Sequence, residues 1–321
     1  MLNLVFHAFR RIFNNATLRS AVGSAIIVEQ KILNDEQNSR GFRCFYFCRC
    51  IVAVEVSAMS GYVLPKGMRY TSLEERAIFY REEFSLKLVK QWLKPLEAFG
   101  RLAFAVIMGR HTHIFRKEYA EDAETTIIID KYKSLTDLKK QILEFLPESV
   151  YYDRNLYDVN GEILGQELAF DLDPENLTCP IHGTLEDKMQ RHQGLSFCEI
   201  ELKMVKEETA KLYERLKKQF SDLRIVYSGR GFHIHVLDEE TLGWNRRRRR
   251  ELAKKLKAEG FLMDDWVTSG GMRLIRLPYS LHGMVSRIVL PITESELPNF
   301  DPITDKRCLP KFLKPESTSS F

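Results

Sequence analysis

The hydrophobic pattern of the chain predicts helices and strands that alternate without an internal repeat. In residues 72–96, apolar positions recur every three or four residues, which predicts one amphipathic helix or two, ending near Pro95. Residues 101–131 contain short β-rich runs, "RLAFAVIMG" and "TTIIID". A further helix is predicted at 134–146, where "SLTD" has the residue types of a helix cap.

The second half of the chain continues the alternation. "EILGQELAFDLD" (162–173) predicts a strand that ends in paired aspartates, and a long helix follows at about 198–220. "LRIVYSGRGFHIHVLD" predicts two strands joined by a glycine-containing turn. A helix at 246–259 and closing strands in "MRLIRLPYSLHG" and "SRIVLPI" complete the pattern. The fold class is therefore α/β or α+β.

The two ends of the chain differ from the rest. Up to Val28 there is no acidic residue, and arginines lie in an apolar background, as in a transit peptide. The favoured interpretation is that Met59 or Met68 is the true start, so residues 1–67 are predicted to be an extension that is unstructured or not native. Residues 315–321, "PESTSSF", are predicted to be a disordered tail.

Composition and charge narrow the classes of protein. The chain is 44% apolar with a net charge of +4, ordinary for a globular protein, and it has no run of 18 apolar residues, so we expect no membrane span. Six cysteines without paired spacing indicate a reducing compartment, so we expect a protein that is cytoplasmic if prokaryotic and not secreted. The run Arg246 to Arg250 predicts a solvated helix face, with phosphate contact as the second interpretation.

Asp171 and Asp173 are the first candidates for chemistry. At positions i and i+2 of a strand, both side chains leave the same face. Two adjacent carboxylates repel each other unless a proton or cation lies between them, and Mg²⁺ prefers such oxygens. A pair of solvated loop acids is the alternative, because this short pattern is common.

"SGRGFHIHV" (228–236) adds groups that bind anions. Two glycines allow a close backbone approach, and Ser228, Arg230, His233 and His235 supply hydroxyl, guanidinium and imidazole groups. The turn is thus predicted to bind phosphate, and the alternative is a hairpin with polar surface histidines.

"MDDWVTSGGMRLIRLPYSLHG" (263–283) brings a second acid pair and further cationic groups. Its acids are Asp264 and Asp265, and Arg276 and His282 follow. Acids for metal ions and cations for phosphates are what two-metal phosphoryl transfer requires. Met263 and Trp266 are assigned to the core.

With these motifs in order, the chain resembles the small catalytic subunit of archaeal and eukaryotic DNA primases. The resemblance rests on "FDLD", "YSGRGFHIHV" and "LIRLPYSLHG", with "FYREEF", "PESVYYDRNLY" and "LPKF" in support, and covers residues 68–314. It implies the archaeo-eukaryotic primase (prim/pol) fold: a central mixed or antiparallel sheet, flanking helices and a small zinc knuckle.

The resemblance also implies residue roles. Metal ligands for Mg²⁺ or Mn²⁺ would be Asp171, Asp173 and Asp264, with Asp265 leaving the third position slightly open. The nucleotide would be bound by Ser228, Arg230, His233, Arg276 and His282, and Arg81 and Arg101 match basic family residues less closely. Expected partners are a single-stranded DNA template, nucleoside triphosphates and a large primase subunit.

A zinc knuckle at about 176–202 is the second metal site implied. Its ligands would be Cys179, His182, His192 and Cys198, with Glu201 competing with His192 for the fourth place. Free cysteines and surface histidines are the alternative. Only 32 residues separate Gly231 from Asp264, where many archaeal members carry a helical insertion.

The resulting prediction is a DNA primase catalytic subunit that makes short RNA or DNA primers in replication. One alternative is a primase-polymerase relative that extends primers in repair or plasmid replication. Another is a nucleic-acid-binding module with a decayed active site, and a nuclease is a further possibility that would not need a triphosphate pocket.

Overall fold

A computed structural model describes residues 63–129 and 132–313 of the 321-residue chain. Residues 1–62 and 314–321, with most of the predicted extension and all of the predicted tail, lie outside the described residues. Residues 63–67 of the extension are described, and the Val63 carbonyl accepts a hydrogen bond from the Phe197 N–H at 3.1 Å. Part of the predicted extension therefore packs against the region of the predicted zinc knuckle.

The described residues contain eight α-helices, one π-helical turn and twelve strands. The helices are α1 Leu73–Ile78, α2 Leu86–Glu97, α3 Leu135–Phe145, α4 Leu185–Gln190, α5 Glu199–Leu216, α6 Glu239–Leu242, α7 Arg246–Ala258 and α8 Asp265–Thr268, and the π-helical turn is Phe79–Glu83. The strands are β1 Phe104–Ile107, β2 Thr126–Ile129, β3 Ser149–Asp153, β4 Asn155–Tyr157, β5 Ile163–Gln166, β6 Leu168–Leu172, β7 Leu223–Tyr227, β8 Phe232–Val236, β9 Leu274–Arg276, β10 Leu281–His282, β11 Arg287–Ile288 and β12 Leu290–Ile292.

The helices begin where side chains can satisfy their free N–H groups. The pattern at 72–96 forms two α-helices joined by the π-helical turn, with Ser72 and Ser85 as their N-caps. Pro95 lies inside α2, which continues to Glu97. Ser134 caps α3, as the sequence predicts. No helix within the described ranges has the length and apolar character needed to cross a membrane.

Two antiparallel four-stranded sheets organise the fold. The first has the order β2-β1-β3-β9 and the second the order β12-β7-β8-β6. The predicted hairpin is β7 and β8, in which Tyr227 pairs with Phe232. Two two-stranded sheets, β4-β5 and β10-β11, complete the topology. The fold class, helices packed on mainly antiparallel sheets, is confirmed.

Strand β6 separates two hydrophobic cores. Leu168, Phe170 and Leu172 pack into a core that contains the apolar face of α5. Ala169 leaves the opposite face and packs into the second core, with residues of the first sheet. Because side chains alternate along a strand, Asp171 projects on the same face as Ala169, toward the first sheet.

The arginine run and the residues after it depart from the prediction in two ways. Arg249 is 1% exposed, and its guanidinium donates to the carbonyls of Trp244 and Thr241 at 2.9 and 3.0 Å. The run is therefore not a uniformly solvated face. Trp266, assigned to the core from the sequence, is 55% exposed, whereas Met263 is buried as expected. The sequence pattern does not reveal that the four-residue α8 turns this indole outward.

Candidate active site

The three predicted acids meet at the end of β6. Asp171 lies in β6 and Asp173 directly follows it. The backbone N–H of Asp264 donates to the Asp171 carbonyl at 2.9 Å, which places the third acid beside the first. Glu175, in a short 3₁₀ turn after Asp173, is a fourth carboxylate close enough to act on both aspartates.

The carboxylates repel one another. Burial, followed by the charges of Asp173 and Asp264, raises the pKa of Asp171 well above its usual value. Burial and the charge of Glu175 raise the pKa of Asp173 to about 6. One buried oxygen on each of these three residues, Asp171 Oδ1, Asp173 Oδ1 and Glu175 Oε2, has no hydrogen-bond partner among the described residues. Oxygens arranged in this way fit a divalent cation.

The turn between β7 and β8 packs tightly against this site. A Cβ on Gly231 would lie 2.1 Å from the Leu172 carbonyl oxygen, so only glycine fits the approach to β6. Gly229 has a φ of +111°, and a Cβ there would lie 2.3 Å from His282 Cδ2. The Ser228 hydroxyl accepts a hydrogen bond from the Gly231 N–H at 3.1 Å and closes the turn.

His233 lies beside Asp171, and His282 packs against the glycine turn at Gly229. His233 pairs with Asp171 across β8 and β6, and its Nε2 lies 3.5 Å from Asp171 Oδ1. Burial, reinforced by neighbouring cationic groups that include Arg276, lowers the pKa of both histidines well below the usual value. Both are therefore neutral at pH 7 and present uncharged imidazoles to the site.

Arg230 and Arg276 supply the positive charge. Arg230 forms an ion pair with Glu175, donates to the Leu195 carbonyl at 2.9 Å and packs over the Phe197 ring. Arg276, on β9, donates to Ser149 Oγ at 2.7 Å. Both guanidinium groups lower the pKa of Asp173, so both act on the acid cluster. All eight residues predicted for catalysis and nucleotide binding thus lie around one site.

Some residues of the site were missed in the sequence, and one was misplaced. Glu175 was missed, although "DLDPE" continues the i, i+2 spacing of acids. His111 was missed because nothing in "GRHTH" marks it, yet its pKa is lowered by burial and also by Arg276 and Arg230. His235, predicted in the phosphate turn, is fully buried with its Nδ1 2.8 Å from Glu167 Oε1, so it belongs to the core.

The two upstream arginines lie in exposed positions. Arg81 is exposed on the π-helical turn. Arg101 is exposed three residues before β1, and its backbone pairs with Tyr157. Arg101 precedes Phe104, the first residue of β1. Ser149, which contacts Arg276, pairs with Ile107 at the other end of that strand.

A separate group of potential metal ligands lies in the predicted knuckle. It consists of Cys179, His182, Cys198 and Glu201, whose ligand atoms all lie within 4.8 Å of one another. The two Sγ atoms are 3.9 Å apart, close to the separation of about 3.7 Å that Zn–S bonds of 2.3 Å impose in a tetrahedron. His192 is exposed and is not part of this group. The geometry therefore favours Glu201 over His192 for the fourth place.

Lys188 closes the knuckle from the other side. It is 1% exposed, and its ammonium donates to Glu201 Oε1 at 2.7 Å and to the Ser196 carbonyl at 3.0 Å. Two thiolates and one carboxylate would carry a charge of −3, so a Zn²⁺ ion and this ammonium together would neutralise them.

Comparisons with known proteins agree with this site. The sequence model of the DNA primase small subunit family matches residues 170–265, which include the first and third acids and the glycine turn. An Archaeoglobus fulgidus protein described as an uncharacterized DNA primase small subunit-like protein is 50% identical over 268 residues, covering 78% of this chain and 94% of that protein.

Proteins described as DNA primase small subunits are more distant. The Pyrobaculum aerophilum protein is 31% identical over 52% of this chain, and the match covers 66% of its own length. The Thermococcus kodakarensis protein is 28% identical over 67% of this chain and 60% of its own length. The polymerase domain of Mycobacterium tuberculosis ligase D, solved with DNA, aligns over 75% of this chain and 91% of its own with a TM-score of 0.42 and 16% identity.

The half-identical relative is matched over nearly its whole length, and the family's sequence model covers the acids and the turn. This chain therefore belongs to the DNA primase small subunit family.

Proposed function

We propose that the chain is a DNA primase catalytic subunit that joins nucleoside triphosphates on a single-stranded DNA template. One observation carries the proposal: acids from two distant segments converge, with unpartnered buried oxygens, beside a tight turn that presents Arg230 and His233. A site for metal ions next to a site for phosphates is what template-directed nucleotidyl transfer needs.

Asp171, Asp173 and Asp264 would hold Mg²⁺ or Mn²⁺. Bound there, two divalent ions would activate the attacking 3′-hydroxyl and neutralise the departing pyrophosphate. The protein would keep the three carboxylates together although they repel one another. This repulsion, together with burial, raises the pKa of Asp171 and of Asp173.

The cationic groups would bind the triphosphate. Arg276 is fixed by Ser149 and Tyr151, and Arg230 is held by Glu175 and the Leu195 carbonyl. Groups that are already oriented lose little entropy when they bind phosphate oxygens, so they contribute by positioning and electrostatics. Neutral His233 and His282 can donate hydrogen bonds without adding charge.

The remaining parts of the proposal concern the whole protein. Residues 68–314 would form the catalytic domain, with Zn²⁺ bound by Cys179, His182, Cys198 and Glu201 as a structural ion. A large primase subunit is the expected partner, and replication in the cytoplasm the expected setting. These rest on family membership and on the donor set of the knuckle.

Primer extension in repair or plasmid replication is the second candidate. The compact stretch of 32 residues between Gly231 and Asp264 favours it, because many archaeal primase subunits carry a helical insertion at that place. A decayed nucleic-acid-binding module is disfavoured, because buried carboxylates that repel one another destabilise the fold and would not be retained without a catalytic role.

The test is synthesis on a single-stranded template with labelled nucleotides, with and without a primer, in Mg²⁺ or Mn²⁺. We expect short products without a primer, and Asp171→Ala should abolish them while the melting temperature stays within a few degrees of wild type. Products only from primed templates would establish the extension alternative. Undiminished synthesis by Asp171→Ala would remove the acids from the mechanism.

A further inference from the structure

A stripe of positive charge runs along one face of α7. Arg246, Arg250, Lys254 and Lys257 are spaced four, four and three residues apart, so they share a face of the helix, and all four are exposed. The residues of α7 that are buried against the body of the protein are Arg249, Leu252, Ala253 and Leu256. We call these four cations the α7 stripe.

The α7 stripe ends beside the acid cluster. Lys257 Nζ lies 3.1 Å from Asp265 Oδ1, and Asp265 is the first residue of α8. Asp264, the third acid of the site, is the N-cap of the same helix. One end of the stripe therefore contacts the residue that follows a proposed metal ligand in the chain.

Trp266 lies at this junction and presents its indole to solvent. The ring packs against the backbone of Gly271, since a Cβ there would come within 1.7 Å of Trp266 Cδ1. The backbone N–H of Trp266 donates to Asp264 Oδ1 at 2.7 Å, and the backbone carbonyl of Trp266 accepts from the Gly271 N–H at 2.9 Å. An indole that is 55% exposed on a backbone fixed at both ends is a stacking platform rather than a loose side chain.

From this juxtaposition we infer that the α7 stripe and Trp266 bind single-stranded nucleic acid and lead it to the acid cluster. Phosphates would lie along the stripe, and the base nearest the site would stack on Trp266. A cationic track combined with an aromatic platform is how proteins bind single strands without reading sequence. The inference deepens the proposed function, because it names the surface that would hold the strand being copied or extended.

Charge complementarity decides between a nucleic acid and a protein as the occupant. The face that carries the α7 stripe has no acidic residue. The one acid in α7, Glu251, lies on another face, where it is 3.7 Å from Arg247. A polyanion with regular charge spacing matches a stripe of this length better than a mixed protein surface does.

The experiment measures binding of a labelled 12-nucleotide single strand by fluorescence anisotropy, without nucleotides or divalent ions. The test variant is the triple substitution Arg246→Gln, Arg250→Gln and Lys254→Gln. The matched control removes three exposed lysines near or on α5, which covers the opposite face of β6: Lys203→Gln, Lys211→Gln and Lys218→Gln.

We expect the test variant to bind at least tenfold more weakly than the control. The slope of log K against the logarithm of the salt concentration should be shallower by about 2 for the test variant, because each lost phosphate contact removes about 0.7 from that slope. Equal affinity for the test variant and the control would overturn the inference. Unchanged strand binding together with lost co-purification with a large subunit would assign the surface to a protein partner instead.

Trp266 gives an independent readout. The other two tryptophans, Trp92 and Trp244, are 6% and 7% exposed, so quenching by a bound strand should come from Trp266. Trp266→Ala should lose the quenching and bind about tenfold more weakly, and Trp266→Phe should keep most of the affinity. Quenching that persists in Trp266→Ala would refute the stacking. Because no step needs synthesis, these results separate the inference from the proposed activity: a protein that makes no product could still pass them.

Discussion

Replacing Asp173 with asparagine should make the metal-free protein more stable. The amide keeps the shape of the carboxyl group and an oxygen that can cap the 3₁₀ turn at Asn176. What it removes is the negative charge that burial and Glu175 disfavour. Sites that gather like charges for function sacrifice stability in this way.

The magnitude follows from the pKa of Asp173. Raising that pKa from 3.8 to about 6 corresponds to about 3 kcal/mol. Because the folded state binds the proton more tightly than the unfolded chain, stability falls as the pH rises from about 4 to about 6 and stays lower above that. Solvent reaches part of the side chain, so we expect Asp173→Asn to gain about 1 to 3 kcal/mol at pH 7.5 and almost nothing at pH 4.

The assay is thermal unfolding of wild type and Asp173→Asn at both pH values, with and without Mn²⁺. For a domain of this size, about 1 to 3 kcal/mol raises the Tm by about 2 to 10 °C. Mn²⁺ at about ten times its Kd should stabilise wild type by about 1.4 kcal/mol and the variant much less. Asp158→Asn is the control, since backbone hydrogen bonds to Asp158, first that from the Glu162 N–H, lower the pKa of this carboxyl instead of raising it.

Two results would refute the reasoning. The first is a variant that is less stable than wild type at pH 7.5, which would mean that the carboxylate is stabilising where it lies. The second is equal stabilisation of both proteins by Mn²⁺, which would mean that the ion binds elsewhere.

Three further changes test other parts of the structure. Gly231→Ala places a Cβ against the Leu172 backbone carbonyl, so the turn must shift: kcat/KM in a primer-extension assay should fall about 100-fold, and the Tm should fall too. A variant as active as wild type would show that the close approach is not needed. Arg249→Met removes the hydrogen bonds that the guanidinium donates to backbone carbonyls of four residues, and urea unfolding should show a free energy of unfolding lower by about 3 kcal/mol. A loss near zero would contradict these contacts. Cys198→Ser should lower the zinc content, measured by atomic absorption, well below one equivalent. Cys308 is buried outside the knuckle, so Cys308→Ser should leave the zinc content unchanged. An equal zinc content in the two variants would exclude this ligand set.

Local patterns predicted most of the elements that carry the site. The period-two spacing of Asp171 and Asp173 predicted both on one face of a strand; Asp171 lies in β6, and Asp173 follows its last residue in an extended conformation. The glycine turn between two alternating runs predicted the β7–β8 hairpin. Such features are set by residues near one another in the chain, so the sequence displays them directly.

Features that depend on distant contacts were predicted less well. His233 and His235 share a strand face, yet Glu167 and Tyr152 enclose only the second, and nothing within the strand marks that difference. Arg249 is buried because carbonyls from three segments surround it, although its four arginine neighbours are exposed. In each case tertiary packing overrides what the residue type alone indicates.

The fourth knuckle ligand shows the same limit at short range. His192 is the better zinc ligand by residue type, but it lies in an exposed turn with a φ of +57°. Glu201 is in the first turn of α5, three residues after Cys198, and its Oε2 accepts from the Cys198 N–H at 2.9 Å. Helix capping thus brings Glu201 to the cysteines, which ligand preference alone would not predict.

The most direct test of the central claim is an anomalous difference map from crystals grown with Mn²⁺ and a nucleoside triphosphate. The proposed function predicts manganese peaks bounded by Asp171, Asp173 and Asp264, with the triphosphate against Arg230 and Arg276. Manganese bound away from these three carboxylates, or a triphosphate outside the glycine turn, would contradict it.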